Sequence, residues 1–220
     1  MSYAVPLTRR EAVLRQLRAE IVSGVLPAGT VIKDAEVAAR LGVSITPIRE
    51  AIAQLAAEGL IDLAPNRPRR VTQITQKNAL ELVDVMAVLA CAGFEWGAPN
   101  LSQDHLARMR VRFEEFVEAL RRGDTTAAGS AGSDFSTIAI MASGNRELQT
   151  HVDLVVARTL RLLALTAGSD VWQIWVDGYR DTLELLEADD RAGAIERYRR
   201  IYTEYRARVE TLLFDESGAH

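Results

Sequence analysis

The segment "LGVSITPIREAIAQL" constrains the fold of this chain most strongly, because two helical patterns meet there across a very short turn. The first pattern runs over Asp34–Leu41, and Gly42 supplies its stop. A second helix follows at once, with Ser44 or Thr46 as its expected cap and Pro47 in its first turn, where a missing amide proton is tolerated. Two short helices joined by a glycine turn indicate a helix-turn-helix motif.

The segments around this motif complete a winged form of it. Thr8–Glu11 has the Thr-x-x-Glu form of a capping box and begins an earlier helix. Thr30–Ile32 is β-branched and long enough for a short edge strand. Leu60–Leu63 and Val71–Ile74 are expected to pair as a hairpin, and Asn66–Arg70 forms its tip. The sequence therefore predicts a winged helix-turn-helix with three arginines in the wing.

The remainder of the chain predicts helices and no convincing strands. Helical patterns separated by short connections run at about 76 to 97, 102 to 122, 124 to 142, 145 to 167, 169 to 188 and 190 to 213. Short connections force neighbouring helices to reverse direction, so these six form an antiparallel bundle. The predicted fold class is mainly α, with a winged helix-turn-helix domain over residues 1–74 and an all-α six-helix bundle over residues 75–220.

Charge is distributed unevenly between these two predicted domains. The whole chain has a net charge of −4, but residues 1–73 carry ten Lys and Arg against seven Asp and Glu. Residues 74–220 carry sixteen basic against twenty-three acidic side chains. A basic first domain suits phosphates, whereas an acidic second domain does not. Chance unevenness is the alternative that charge alone leaves open.

The second helix of the motif offers side chains suited to duplex DNA. A recognition helix enters the major groove with its N-terminal residues near base edges. Arg49 can bind a phosphate or a guanine there, and Thr46 offers a hydroxyl and a methyl group. An isolated exposed arginine is ordinarily a solvated charge, but joint placement on one face of one motif favours binding. The predicted DNA-binding residues are Ser44, Ile45, Thr46, Arg49, Arg67, Arg69 and Arg70.

The motif contains a specific series of short patterns: the "SGVLPAG" turn, "LGVS-x-TP-x-RE", "L-x-x-EGL" and the "PNR" wing. With these, residues 9–74 resemble the DNA-binding domain of the GntR family of bacterial transcription regulators. Through "DFSTIAIMASGN" and "ADDRAGAIERYRRIY", the bundle is similar to the FCD ligand-binding domain of the family's FadR-type branch. The resemblance implies a homodimer that places two winged motifs on a palindromic operator, responds to a small metabolite and most often represses.

Two arginines that are usual in this branch are replaced here. One follows the serine at Ser44, where this chain has Ile45, and the other lies on the preceding helix, where it has Ala35. A good base contact contributes about 1–3 kcal/mol, so the operator should differ from the usual one or be bound more through the wing and phosphates. Ile45 either packs on a thymine methyl group or is a neutral exposed aliphatic, and both readings stay open.

The resemblance also implies a divalent metal, held by an Asp-x-x-Phe-His motif and two later histidines. The corresponding positions here hold Gly132, Ser136, Tyr179 and either Ile201 or Tyr202. None of these is a competent ligand for zinc or a similar ion. The histidines of the chain, His105, His151 and His220, show no metal-site spacing. The sequence therefore predicts no metal and no other cofactor.

Met86 stands where the family often has an arginine for acidic effectors. The predicted effector pocket consists of Met86, Ser136, Trp175, Tyr179 and Tyr202. Such a pocket suits a largely apolar or aromatic effector with a hydroxyl or carbonyl group. Trp172, Trp175, Val176 and Tyr179 also recur at helical spacing, so a simple core face is the alternative.

These patterns predict a ligand-responsive DNA-binding regulator and not an enzyme, because no Gly-rich phosphate loop or Cys/His nucleophile set is present. A winged module that contacts protein, without specific DNA binding, is the second hypothesis. No apolar run approaches the ~18 residues of a membrane span, and the N-terminus has no signal-peptide pattern. Together with Cys91 as the single cysteine, this predicts a cytoplasmic protein without a membrane partner.

Overall fold

The computed structural model describes residues 8–64, 67–166 and 170–215, with side chains up to residue 212. The chain forms two compact units, Met1–Ile74 and Thr75–His220. In the described residues, the first unit contains three helices and a small antiparallel sheet, and the second contains helices and their connections but no strand. The predicted fold class, a winged helix-turn-helix followed by a helical bundle, is confirmed.

The first unit contains α1 (Arg9–Val22), α2 (Asp34–Leu41), α3 (Ile45–Ala57), β1 (Ile61–Asp62) and β2 (Arg70–Val71). The capping box predicted at the start of α1 is confirmed: the Thr8 hydroxyl accepts from the Glu11 amide, and the Glu11 carboxylate accepts from the Thr8 amide. Gly42 ends α2 with φ 64°, a left-handed conformation that glycine adopts without steric cost.

The start of α3 differs from the prediction. Ser44 occupies the N-cap position, but its hydroxyl makes no capping hydrogen bond, and Thr46 lies inside the helix. A capping side chain accepts from the second or third helical amide. The third position here is Pro47, which has no amide proton, so one of the two possible donors is missing. The predicted hydroxyl cap is therefore wrong, although the helix begins where expected.

The wing hairpin is shorter than predicted. Ile61 pairs with Val71, and each strand has two residues where the sequence indicated four. The Asp62 carboxylate accepts from the Ala64 amide at 3.0 Å, a local turn that leads the chain out of the β1 strand. The predicted tip residue Asn66 lies outside the described residues.

The predicted edge strand at Thr30–Ile32 forms a single bridge, in which Val31 lies opposite Arg70. Its backbone hydrogen bonds continue on both sides: the Ile32 amide donates to the Arg69 carbonyl, and the Val71 amide donates to the Thr30 carbonyl, both at 2.9 Å. The segment before α2 is thus attached directly to the second strand of the wing.

The second unit contains α4 (Gln76–Gly97), α5 (Gln103–Arg121), α6 (Thr125–Ala142), α7 (Arg146–Leu165), α8 (Val171–Glu187) and α9 (Arg191–Asp215). These helices match the six predicted helical stretches to within a few residues at each end. A short 3₁₀ turn, Ala98–Asn100, separates α4 from α5. The break predicted at Gly168 lies outside the described residues. Helix α4 packs against α6, α7 and α9, while α5 packs on α6 and α8 on α9.

Close helix crossings and aromatic rings hold the bundle together. A Cβ atom added at Gly97 would lie 1.8 Å from the Ala139 carbonyl oxygen, so α4 and α6 can approach only where a side chain is absent. Phe94 of α4 stacks on Tyr198 of α9 with ring centroids 4.1 Å apart. Among the described helices, none is both long enough and apolar enough to cross a membrane.

Candidate DNA-binding surface and effector cavity

The start of α3 is presented to solvent, whereas the opposite side of the helix is buried. Ser44, Ile45, Thr46 and Arg49 are all exposed, with Ile45 retaining 41% of its surface. The buried stripe follows helical spacing and consists of Ile48, Ala51, Ile52 and Leu55. Packing of this stripe fixes which side of the helix faces outward. The exposed side therefore has the placement of a recognition surface.

Two of the predicted DNA-binding arginines meet at one carboxylate. The Nε of Arg49, on α3, donates to Oδ2 of Asp34 at 3.0 Å. Nη1 of Arg69, which precedes β2, donates to the other oxygen, Oδ1. Burial raises the pKa of Asp34, but the hydrogen bonds from Arg69 and Arg49 outweigh this and lower it overall. Asp34 is thus ionised at neutral pH and joins the recognition helix to the wing.

The remaining wing arginines have different surroundings. Nη1 of Arg70 donates to the Gly29 carbonyl oxygen at 2.9 Å, which reinforces the pairing of β2 with the segment before α2. Arg67 is exposed and has no ion pair with any residue that the structure describes. The sequence placed all of these arginines on one surface but gave no sign that Arg49, Arg69 and Arg70 would be engaged within the unit.

Two further carboxylates are buried in the first unit and fix its helices. Glu20 of α1 accepts from both terminal nitrogens of Arg40 on α2, at 2.6 and 2.7 Å. The Arg40 hydrogen bond is the main cause of the lowered pKa of Glu20. Glu58, directly after α3, accepts from Nε and Nη2 of Arg18 on α1, at 2.9 and 2.6 Å. One bidentate pair therefore ties α2 to α1, and the other ties the C-terminal end of α3 to α1.

All five predicted effector residues line one cavity of the bundle. Met86 comes from α4, Ser136 from α6, Trp175 and Tyr179 from α8, and Tyr202 from α9. None of the described residues that line this cavity is charged. The sequence did not place Phe116, Trp172 or the apolar side of α7 in the site; only a three-dimensional arrangement brings these distant segments together.

The positions that correspond to the family's metal ligands do converge, but on a hydrogen-bonded phenol. The Tyr179 hydroxyl lies 3.0 Å from the Gly132 carbonyl oxygen and 3.1 Å from Oγ of Ser136. Because its single proton goes to the carbonyl, Ser136 donates to Tyr179. A Cβ atom at Gly132 would lie 3.2 Å from the Tyr179 ring, so the glycine makes room for the phenol. These groups do not form a donor set for a divalent metal.

Histidine, cysteine and carboxylate side chains give no metal site elsewhere among the described residues, where no three of them cluster suitably. In the cavity, burial is the main cause of a pKa well above the ordinary value for both Tyr179 and Tyr202. Both phenols therefore stay neutral at physiological pH, and neither supplies a phenolate that could bind a cation.

The cavity is small, and two tryptophans of its wall have indole nitrogens without a hydrogen-bond partner among the described residues. Its free space for water-sized molecules is ≈ 40 Å³, whereas one water needs about 10–15 Å³ by this measure. Trp172 and Trp175 are buried, and their indole nitrogens have no acceptor in the described part of the chain. The space as it stands holds a few waters, not a metabolite.

The fold and these sites define a class: a winged-helix DNA-binding unit followed by a helical unit with an internal cavity. Residues 9–71 match the family described as "Bacterial regulatory proteins, gntR family", and residues 81–204 match the FCD domain. The chain belongs to the GntR family, with an FCD domain as its second unit. It is a ligand-responsive DNA-binding transcription regulator, in a family of regulators and not of enzymes.

Individual relatives agree with this assignment. A probable D-xylose utilization operon transcriptional repressor of Paenarthrobacter nicotinovorans is 29% identical over 171 residues, which cover 78% of this chain and 75% of the relative. The solved structure of Escherichia coli McbR/YncC superimposes with a TM-score of 0.79 at 20% identity, covering 97% of this chain and all of that one. A GntR regulator from Rhodococcus sp. RHA1 gives the same TM-score, identity and 97% coverage of this chain. At these identities the two structures support the fold alone.

Proposed function

We propose that this regulator is a homodimeric repressor that binds a palindromic operator through the start of α3 and through the wing. The observation that carries the proposal is the exposed N-terminal turn of α3, with Arg49 on it and with Arg67 and Arg69 on the wing of the same unit. Repression is proposed because the relative in Paenarthrobacter nicotinovorans is a probable transcriptional repressor. The two-fold arrangement follows from the palindromic operators expected for dimeric helix-turn-helix proteins.

A salt titration of DNA binding tests the assigned surface. Each phosphate that a cationic side chain neutralises releases counterions, so affinity should fall steeply as salt rises. Arg49→Ala should weaken binding to a selected duplex by about 5- to 150-fold, the range for a good base contact. Unchanged binding by this variant would remove α3 from the proposal. If wild-type protein enriches no sequence from a random duplex library, a protein-interaction module takes its place.

The effector is proposed to be uncharged and largely apolar, with a hydrogen-bond acceptor such as a carbonyl or hydroxyl oxygen. The uncharged lining of the cavity supports the first property, since an unpaired ion would be desolvated there at a cost of several kcal/mol, about 3 or more. The second is proposed because the indole nitrogens of the lining residues Trp172 and Trp175 have no acceptor among the residues that the structure describes, and a ligand would reach these enclosed atoms once side chains move. A metabolite larger than a few waters must displace side chains, and this rearrangement is the proposed source of its effect on DNA binding.

The regulator is further proposed to act without a metal. The hydrogen bonds among Tyr179, Ser136 and Gly132 occupy the place where the family's ligands would converge. The test is equilibrium dialysis of the purified protein against Zn²⁺, followed by metal analysis and by thermal unfolding with and without a chelator. A stoichiometric ion held by the bundle, with a higher melting temperature in its presence, would contradict the proposal.

The cell biology proposed for the chain follows from these assignments. A regulator that binds chromosomal DNA works in the cytoplasm, needs no membrane partner and has no catalytic role. Sedimentation equilibrium at micromolar concentration tests the dimer, and a monomer that still binds a single half-site would contradict the palindromic operator. Screening uncharged aromatic and aliphatic metabolites by shifts in melting temperature tests the effector class.

A further inference from the structure

Asp34 holds two DNA-facing arginines from separate parts of the first unit. It is the first residue of α2, and its side chain is 16% exposed. Arg49 on the recognition helix is 66% exposed and Arg69 near the wing is 37% exposed, so both also reach solvent. Three segments distant in sequence are therefore joined at one carboxylate, on the side of the unit proposed to meet DNA.

The contacts at Asp34 leave most of each guanidinium available. A guanidinium has five N–H donors, and Arg49 spends only Nε–H on the carboxylate. Arg69 likewise spends one donor, from Nη1. Four donors of each arginine therefore remain for phosphate or guanine. The ion pairs fix the direction of the side chains without consuming their capacity to bind.

Such an arrangement acts differently on specific and non-specific binding. Fixing a long side chain before association removes part of the ordering cost that specific binding otherwise includes. Non-specific binding depends mainly on the total positive charge near the phosphates, which a carboxylate beside two arginines reduces. A half-buried anion at this point should therefore increase the preference for specific over non-specific DNA in both ways.

We propose that Asp34 is a specificity-determining positioning residue, which orients Arg49 and Arg69 toward the operator and suppresses their attraction to other DNA. The inference rests on the proposed DNA-binding surface. It adds a residue that has no direct role in reading bases and whose removal changes the ratio of operator to non-operator affinity.

The experiment uses full-length protein and two labelled duplexes. One is the duplex that wild-type protein enriches from a random-sequence library, and the other is a scrambled duplex of equal length and composition. Asp34→Asn should lower the ratio of the two affinities by about tenfold, which corresponds to about 1.4 kcal/mol. Its affinity for the scrambled duplex should rise or stay constant.

Glu36→Gln is the matched control. Glu36 lies on the same helix, is 68% exposed and pairs with Lys33 instead of the DNA-facing arginines. The Glu36→Gln substitution removes the same unit of charge as Asp34→Asn, so an effect that both variants share is electrostatic. A ratio in Asp34→Asn equal to that in Glu36→Gln overturns the inference. Failure of the wild-type protein to prefer any duplex overturns the DNA-binding proposal instead, and the two failures are distinguishable.

Combining Asp34→Asn with substitutions of the two arginines distinguishes a positioning role of Asp34 from a purely structural one. In an Arg49→Ala, Arg69→Ala background, Asp34→Asn should no longer change the affinity ratio, because the side chains it orients are gone. A persisting loss contradicts the inference. Should the amide variant fold poorly, Asp34→Ala with Glu36→Ala as its control gives the same comparison, since alanine has the highest helix propensity. Circular dichroism and melting temperature establish folding for each variant.

Discussion

The DNA-binding unit and the cavity of the bundle differ in the polar groups that they bury. In the DNA-binding unit, buried or half-buried carboxylates each hold arginines: Glu20 with Arg40, Glu58 with Arg18, and Asp34 with Arg49 and Arg69. Around the cavity of the bundle, the buried polar groups are uncharged and consist of phenols, indoles and hydroxyls. The first arrangement suits a surface that recognises DNA, which is a charged polymer. The second suits a site that binds a neutral molecule.

The difference has a physical basis in how each kind of group responds to loss of a partner. A charged pair out of water fixes a geometry, because an ion left alone would be strongly destabilising. A neutral donor without a partner destabilises the fold less, by about 1–3 kcal/mol, so a folded protein tolerates it more readily. Trp172 and Trp175 can thus remain unpartnered, whereas Asp34 is held by two guanidiniums.

The largest expected effect comes from placing a charge in the cavity. Gly132→Asp restores the family's usual acid at that position, but it puts an unpaired carboxylate against the Tyr179 ring. We expect a loss of about 3–5 kcal/mol in the free energy of unfolding, as for other uncompensated buried ions. Gly132→Ala is the control, since it adds the same Cβ without the charge. Equal melting temperatures for the two variants would show that charge is tolerated there.

Breaking a charged pair in the DNA-binding unit should have the next largest effect. Arg40→Ala leaves the carboxylate of Glu20, which is 8% exposed, with Gln16 as its remaining side-chain partner. Because Arg40 itself is 46% exposed, we expect a loss of about 2 kcal/mol, below the full cost of breaking a buried pair. Lys33→Ala, which breaks the exposed pair with Glu36, should leave stability almost unchanged, because water screens that pair. Chemical denaturation measures the loss in both variants. Comparable losses would contradict the expected difference between the buried and the exposed ion pair.

Removal of one phenolic hydroxyl gives a smaller effect in the bundle. Tyr179→Phe leaves the Gly132 carbonyl and the Ser136 hydroxyl without this partner, which should cost about 1–2 kcal/mol. Tyr205→Phe is the matched variant, because the buried Tyr205 hydroxyl has no hydrogen-bond partner in the described chain. It should be neutral or stabilising. If both variants lose the same stability, the hydrogen bonds of Tyr179 are not what distinguishes it.

The smallest effect near neutrality concerns pH. The pKa of Glu20 is lowered in the folded protein, so its contribution to stability is fully present above about pH 4.5 and is lost as pH falls through the folded value. The protection factors of α1 amides, which are exchange rates corrected for the intrinsic effect of pH, should fall below that pH, and Glu20→Gln should remove part of this dependence. The cavity phenols have raised pKa values and stay neutral from pH 4 to 8, so effector affinity should be constant over that range. Protection factors of α1 amides that stay constant as pH falls below about 4.5 would contradict the assigned role of Glu20.

The sequence was sufficient for elements that rest on local patterns. The capping box at Thr8 and the helix stop at Gly42 each depend on residues within a few positions of one another, and each is present. The capping hydrogen bond predicted for the Ser44 hydroxyl is absent, because Pro47 lacks the amide proton of one of the two usual donors.

Features that depend on distant segments were not predictable in the same way. An aspartate at the start of α2 ordinarily indicates a favourable interaction with the helix dipole, and nothing nearby in sequence connects Asp34 with Arg69, 35 residues later. The five effector residues were grouped through family resemblance, and the structure places them around one cavity. The small size of that cavity depends on how rings from α5, α8 and α9 fit together, which no single pattern specifies.

We propose that the exposed start of α3 reads DNA sequence through Arg49. The most direct measurement is selection from a random duplex library, at two salt concentrations, by the wild-type protein and by Arg49→Ala, with sequencing of the captured DNA. We predict that wild type enriches a two-fold symmetric motif, that its affinity falls steeply with salt, and that the variant enriches the motif weakly or not at all. An identical motif captured with equal affinity by Arg49→Ala, or no enrichment by wild type, would contradict the account.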